Sequence, residues 1–304
     1  MSTPSTSLLT SLVQLTSDLE QQRFPESALY VVATPIGNIA DVSLRALKVL
    51  SLVDAIACED TRNTGLLLSR LGLSTPLFSA HQHNEHESAE KIIVRLRKGE
   101  RIALVSDAGT PAISDPGARI VDAVINAGLS VIPIAGACAG IAALSASGLL
   151  ADEFHFVGFL PSKTSQRAQL LSGFISTRAT LIFYEAPHRI LETALALASV
   201  LGGARRVVVA REISKLFEQI HRCTLSELHD WLAQAAEHQK GEFVLLVEAP
   251  IVSEEPDETE AKRVLTILLE SNSVSQAAAV AARITGLKKN ALYDLALKMH
   301  ASGE

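Results

Sequence analysis

The chain has 304 residues, of which 48% are hydrophobic and only 4% aromatic, and its formal net charge is −6. That length suits two or three domains of ordinary size, and a composition led by Ala, Leu, Val and Ile excludes a disordered or fibrous protein. The acidic balance argues against coating nucleic acid through bulk charge, although a local basic patch is compatible with it.

The start of the chain, rich in Ser and Thr, has no basic residue before Arg23, so it lacks the opening of a secretory signal. Residues 1–27 read as an N-terminal arm in which Leu8, Leu12, Leu15 and Leu19 line one side of a short helix. No apolar run approaches the ~20 residues that span a bilayer. Cys58, Cys138 and Cys223 form no CxxC pair, which indicates neither a disulfide framework nor a zinc knuckle. The expectation is a soluble protein of a reducing cytoplasm, with no membrane partner.

From Leu29 the pattern alternates. Strands are predicted at Leu29–Ala33, Asp54–Cys58, Leu77–Ala80, Ile102–Ser106 and Ser130–Ile134. Helices are predicted between them at Ser43–Leu52, Thr61–Leu71 (stopped by Gly72), Glu87–Lys98 and Ala118–Ala127. Such alternation means a parallel sheet covered by helices on both faces, with ligands outside the carboxyl ends of its strands. A first α/β domain is expected over residues 28–140.

A second α/β domain is expected over 141–250, with strands at Phe154–Phe159, Thr180–Tyr184, Arg206–Ala210, Phe217–Arg222 and Phe243–Glu248. Its late consecutive strands predict a mixed sheet. Residues 251–260 read as an acidic linker. Residues 261–304 have helical periodicity broken by Gly286-Leu287-Lys288-Lys289, as in a helix-turn-helix-like extension, or in a small bundle that caps the enzyme.

The strand ends hold the unusual residues. Ser106-Asp107-Ala108-Gly109-Thr110-Pro111-Ala112-Ile113-Ser114-Asp115-Pro116-Gly117 is a long, stiff loop that lets a ligand approach backbone closely. It is no Walker loop, and no strand leads into G-x-G-x-x-G. Thr34-Pro35-Ile36-Gly37-Asn38 and Ile134-Ala135-Gly136-Ala137-Cys138-Ala139-Gly140 are expected to close on the same crevice. His81-Gln82-His83 has HxH spacing on a presumed extended chain, but no matching ligand cluster accompanies it, so the segment reads as a polar rim and no metal is expected. Glu59-Asp60-Thr61-Arg62 is either an acidic helix start or part of the site. Arg189 and Lys215, near strand ends of the second domain, suit phosphate contacts on an anionic substrate or plain surface ion pairs.

Taken together, these motifs with Phe159-Leu160-Pro161, Phe183 to Arg189 and Arg211-Glu212 occur in the order found in a known family. The chain resembles the bacterial small-subunit ribosomal RNA methyltransferase I family, over nearly its whole length from Leu29. The resemblance implies a tetrapyrrole-methylase-like α/β fold with an all-helical C-terminal extension. It further implies a homodimer that methylates a cytidine ribose 2'-hydroxyl in the decoding region of 16S rRNA, in the small ribosomal subunit, with S-adenosylmethionine as donor. It places cofactor contacts on Pro35, Gly37, Asp107, Gly109, Thr110, Gly136, Ala137 and Tyr184. Ala135 is a departure, since the family often has Pro there, and it leaves that loop less stiff. Candidates for the base or for positioning are Glu59, Asp60, Asp107 and His83; for RNA contact they are Arg62, Arg189, Lys215, Lys288 and Lys289. Two other readings compete: a methylase of a tetrapyrrole intermediate, and a non-catalytic ribosome-assembly factor on the same fold.

Overall fold

The computed structural model describes residues 8–150, 152–250 and 258–301. Most of the expected linker and the first seven residues of the expected arm lie outside these. The chain divides into two compact units, Met1–Ala249 and Pro250–Glu304.

The larger unit opens with α1 (Leu8–Glu20), on which Leu19 is buried while Leu12 and Leu15 are exposed. Five strands follow: β1 (Ala28–Val32), β2 (Ala55–Cys58), β3 (Leu77–Ser79), β4 (Ile102–Val105) and β5 (Ser130–Ile134). They form a sheet in the order β3-β2-β4-β1-β5, and every pair is parallel. Strand residues alternate between two cores. Tyr30, Val32, Ile56, Cys58 and Val105 face α2 (Leu44–Leu52) and α3 (Thr61–Arg70). Leu29, Ala57 and Leu104 face α4 (Glu85–Arg97) and α5 (Ala118–Asn126). Burial on both faces explains why the three central strands, β1, β2 and β4, read as short continuous apolar runs.

The strand order locates the cleft. From β1 the chain crosses in one direction, to β2; from β4 it crosses in the other, to β5. The neighbours β1 and β4 therefore send their exit loops apart, which is a topological switch point.

α6 (Ala139–Ser147) was not anticipated. Its sequence, AGIAALSAS, is small and apolar all round, so it lacks the polar face that marks a helix. It covers one face of a second sheet through Ala143, beside Ile182, Val208 and Val244. That sheet contains β6 (Phe154–Phe159), β7 (Thr180–Glu185), β8 (Arg206–Arg211), β9 (Gln219–Thr224) and β10 (Phe243–Val247). Its order is β6-β7-β10-β8-β9; β6 and β7 run parallel and the other pairings are antiparallel, so the sheet is mixed. The opposite face is buried under α7 (Thr164–Ser172), α8 (Ile190–Leu201) and α9 (Leu225–Gln234). β9 starts two residues later than expected, because Ser214 N–H donates to Glu218 Oε2 in a turn that leaves Leu216 and Phe217 exposed.

The smaller unit is a three-helix bundle of α10 (Glu258–Leu269), α11 (Val274–Thr285) and α12 (Lys289–Ala301). Ala261, Leu265, Ala277, Ala281, Leu292 and Ala296 form its core. A Ser273/Gln276 capping box starts α11, and Gly286, in the left-handed conformation, ends it. The last residues of the expected linker, from Glu258, belong to α10.

Candidate active site

The exit loops of β1, β4 and β5 are tied to one another. Thr34 and Gly109 exchange two backbone hydrogen bonds, of 2.9 and 3.1 Å. The Thr110 hydroxyl donates to the Ala137 carbonyl at 2.9 Å. Gly109 sits at φ +79°, where a Cβ would be strained and would lie 3.3 Å from Ile36 Cγ2. At Gly136 a Cβ would lie 2.8 Å from Ala33 Cβ, so the third loop can close on the first only as glycine.

The long loop holds two non-glycine residues in the left-handed region, Ala112 (φ 68°) and Ser114 (φ 63°). Strain of this kind persists where surroundings over-determine it, often at functional sites. Here the end of the loop is anchored by Gly117 N–H donating to the buried Glu85 carboxylate at 2.8 Å.

The second sheet supplies the facing wall. Gly140 N–H donates to the Tyr184 hydroxyl at 2.9 Å, which joins the start of α6 to β7. Phe156 and Phe159 meet the Tyr184 ring edge-on, with centroids 5.1 and 5.8 Å away, and burial raises the phenol's pKa above its ordinary value. Between the walls lies a cavity of about 330 Å³ lined by Ile36, Ala108, Asp115, Phe159, Tyr184 and Val244, among others. An adjoining pocket of about 520 Å³ is lined by Gln82, His83, Glu85 and Arg119. Ser114 and Asp115 line both.

The corner after Tyr184 is held from within. The Glu185 carboxylate accepts from Thr193 Oγ1 at 2.6 Å and from Ala186 N–H at 2.9 Å, and lies 3.4 Å from Arg189 Nε. Arg189 donates onward to the Leu160 carbonyl at 2.6 Å. Glu185→Ala leaves the part-buried Arg189 and the buried Thr193 hydroxyl without their shared partner, so its urea midpoint should fall by the equivalent of about 2 kcal/mol, and Glu185→Gln should lose less. A Glu185→Ala protein that unfolds at the wild-type midpoint would show that this network does not hold the corner.

The predicted residues fall into several places. Asp60 caps α3 and grips Arg62 (2.6 Å), which holds its carboxyl well down, at about 2. The Asp107 carboxylate accepts from Asp60 N–H at 3.2 Å and from Asn63 Nδ2 at 2.7 Å, so both its oxygens are engaged at the α3 N-terminus. Burial raises the pKa of Glu59, and Asp107 adds to this while His81 opposes it. Residues 81–84 form a turn rather than extended chain: Asn84 N–H donates to the His81 carbonyl at 3.0 Å. Among the described residues, no group of three or more His, Cys, Asp and Glu has the arrangement of a metal site. Among the described residues, no helix is long and apolar enough to cross a membrane.

Two of the expected RNA contacts already hold partners within the protein. Arg189 donates to the Leu160 carbonyl and lies 3.4 Å from Glu185, with only part of its side chain exposed. Lys215 lays its stem over Gly37 and is matched by two carboxylates, Glu212 at 2.8 Å and Glu242 at 2.9 Å. Tyr184 is the expected cofactor contact that lines the cavity; Ile36 and Ala108 line it from beside Pro35, Gly37, Asp107 and Gly109. Sequence reasoning assigned no role to Asp115, Phe159 or Arg119. The first two stand in motifs it had singled out, whereas nothing in the sequence marks Arg119.

Two α/β sheets with a cleft at the switch point define a methylase architecture, and three comparisons agree. Residues 28–229 match the family described as Tetrapyrrole (Corrin/Porphyrin) Methylases, and residues 255–300 match the RsmI C-terminal HTH domain. Ribosomal RNA small subunit methyltransferase I of Pseudomonas aeruginosa is 51% identical over 89% of this chain and 96% of its own length. The Vibrio cholerae protein of the same name is 49% identical over 89% and 94%. Uroporphyrin-III-C-methyltransferase from Thermus thermophilus superposes with TM-score 0.53 at 19% identity, over 73% of this chain and 94% of that one. The methyltransferase CobJ gives 0.56 at 18%, over 74% and 95%. The chain belongs to the ribosomal RNA small subunit methyltransferase I family, within the tetrapyrrole methylases. It is an enzyme of the type that uses S-adenosylmethionine. The cleft fits that cofactor: its volume suits a small ligand, a Cβ at Gly109 would press on Ile36 of its wall, and the lining mixes apolar walls with two carboxylates, Asp115 and Glu242.

Proposed function

We propose that this chain transfers a methyl group to the ribose 2'-hydroxyl of a cytidine in the decoding region of 16S rRNA, acting on the small ribosomal subunit in the cytoplasm. One observation carries the reading: near-half identity to proteins named for ribosomal RNA methylation runs through about nine-tenths of the chain. The solved tetrapyrrole methylases leave about a quarter of this chain without a counterpart, which weighs against a tetrapyrrole substrate. The intact cleft weighs against a non-catalytic assembly factor.

In this reading Pro35, Gly37, Asp107, Gly109, Thr110, Gly136 and Ala137 frame the cofactor from the first sheet, and Tyr184 meets it from the second. S-adenosylmethionine supplies an already electrophilic methyl, so the protein's work is placement and exclusion of water. Asp107 acts through α3, whose N-terminus it holds. Arg62, with its side chain 88% exposed, and Lys288 with Lys289 are the cations offered to RNA phosphate. A homodimer is part of the proposal; the exposed Leu216 and Phe217 beside edge strand β9 support a self-complementary interface.

Calorimetry with S-adenosylmethionine in the presence of a chelator should show one site per chain, and loss of binding on chelation would contradict a metal-free cleft. Light scattering at micromolar concentration should give twice the chain mass, and a monomer there would remove the dimer from the account.

A further inference from the structure

Two pockets share a wall. The cofactor cleft and the pocket beside it meet at Ser114 and Asp115, on the strained segment of the β4 exit loop. A methyl transfer needs this arrangement, because donor and acceptor must lie in separate spaces that meet at the reacting atoms. We propose that the pocket of Gln82, His83 and Arg119 receives the acceptor nucleotide, and that Asp115, on the shared wall, takes the proton from its ribose hydroxyl. This rests on the reading of the enzyme as a ribose methyltransferase.

The other carboxylates are poorly placed for the task. Asp60 is bound to Arg62, and both oxygens of Asp107 are engaged on Asp60 N–H and Asn63. Neither these two nor Glu59 lines the cleft. Glu242 does line it, but its carboxylate is paired with Lys215. Among the described residues Asp115 has no ion-pair partner, so its carboxylate is available to accept a proton. The outer pocket suits a nucleotide: Arg119 is 85% exposed, 3.8 Å from Glu85, and presents a guanidinium at the rim for phosphate.

The charge balance supports the geometry. Burial and then the Glu59 and Asp107 carboxylates push the Asp115 carboxyl up to about 6, with the Ser106 hydroxyl opposing them. His83, Glu85 and Arg119 face it from the outer pocket, and Tyr184 and Glu242 from the cleft. Such a carboxylate is ionised at neutral pH yet more basic than an ordinary one. In the step, the ribose oxygen bonds to the methyl carbon as the carbon–sulfur bond breaks with its pair left on sulfur. The hydroxyl proton passes to Asp115 and from there to water.

The test uses the full chain, S-adenosylmethionine and small subunits that lack the modification. The wild-type single-turnover rate should rise with pH around an inflection near 6. Asp115→Asn should lose the inflection and about 10²–10⁴-fold in rate, with calorimetric affinity for S-adenosylmethionine within threefold of wild type. Asp115→Glu should recover part of the rate with a displaced inflection. Arg119→Glu should raise the subunit concentration needed for half-maximal rate at least tenfold and leave cofactor affinity alone. A readout independent of activity accompanies these. The raised carboxyl stabilises the fold below pH 3.8, where an unfolded Asp is protonated too, and that stabilisation disappears as pH rises through about 6. Asp115→Asn should therefore melt higher than wild type at pH 8, with a margin that shrinks toward pH 5. A full rate in Asp115→Asn with the wild-type pH profile overturns the inference, as does loss of cofactor binding in that variant. Wild-type enzyme that binds S-adenosylmethionine but methylates no RNA overturns the proposed function itself, and the inference with it.

Discussion

Gly109→Val should abolish S-adenosylmethionine binding, weakening it more than 100-fold, in a protein whose circular dichroism is unchanged. A non-glycine residue at φ +79° carries about 1–2 kcal/mol of backbone strain, and a β-branched one fits worse still. Its Cβ would also press on Ile36, a residue of the cleft wall. The backbone there bonds reciprocally to Thr34, so relieving the strain would part the exit loops of β1 and β4 at the switch point. The sheet itself depends on buried strands rather than on this loop, so the fold should survive. Calorimetry on the folded variant decides: affinity within threefold of wild type would remove Gly109 from the cofactor site.

Removal of residues 250–304 should leave cofactor binding intact and raise the Michaelis constant for small subunits at least tenfold. From Ala261 to the C-terminus the chain carries Lys262, Arg263, Arg283, Lys288, Lys289 and Lys298 against Glu270, Asp294 and Glu304, opposite in sign to the whole protein. Lys288 and Lys289 are exposed where α11 turns into α12. Each phosphate that a cation neutralises releases counterions, with a slope of about 0.7–0.9 in log affinity against log salt. Reversing both lysines to Glu should therefore weaken RNA engagement and flatten that slope by about 1.5. A truncated enzyme with an unchanged Michaelis constant would make the helices a structural cap.

The fold was legible wherever burial wrote a period into the sequence. The three central parallel strands appear as apolar runs because residues such as Leu29 and Tyr30 enter opposite cores. α6 was not legible, since a helix of small apolar residues shows no polar stripe. In the site, the three loops could be found from their Gly, Pro and Asp content and their position after strands. Side-chain roles depended on contacts distant in sequence, which the chain order does not display. Arg189 and Lys215 look alike as cations near strand ends, but the Leu160 carbonyl claims one and Glu242 the other. Asp115 was passed over for a similar reason: its place on the wall between two pockets follows from a turn through Ala112 and Ser114 at positive φ, a conformation their residue types do not announce.

The most direct measurement of the central claim is transfer of labelled methyl from S-adenosylmethionine to small subunits from a strain lacking this gene, with the modified nucleotide mapped. The account predicts one methyl per subunit, on the ribose 2'-oxygen of a cytidine in the decoding region of 16S rRNA. A methyl found on a base, or label that enters a tetrapyrrole and not the subunit, would contradict it.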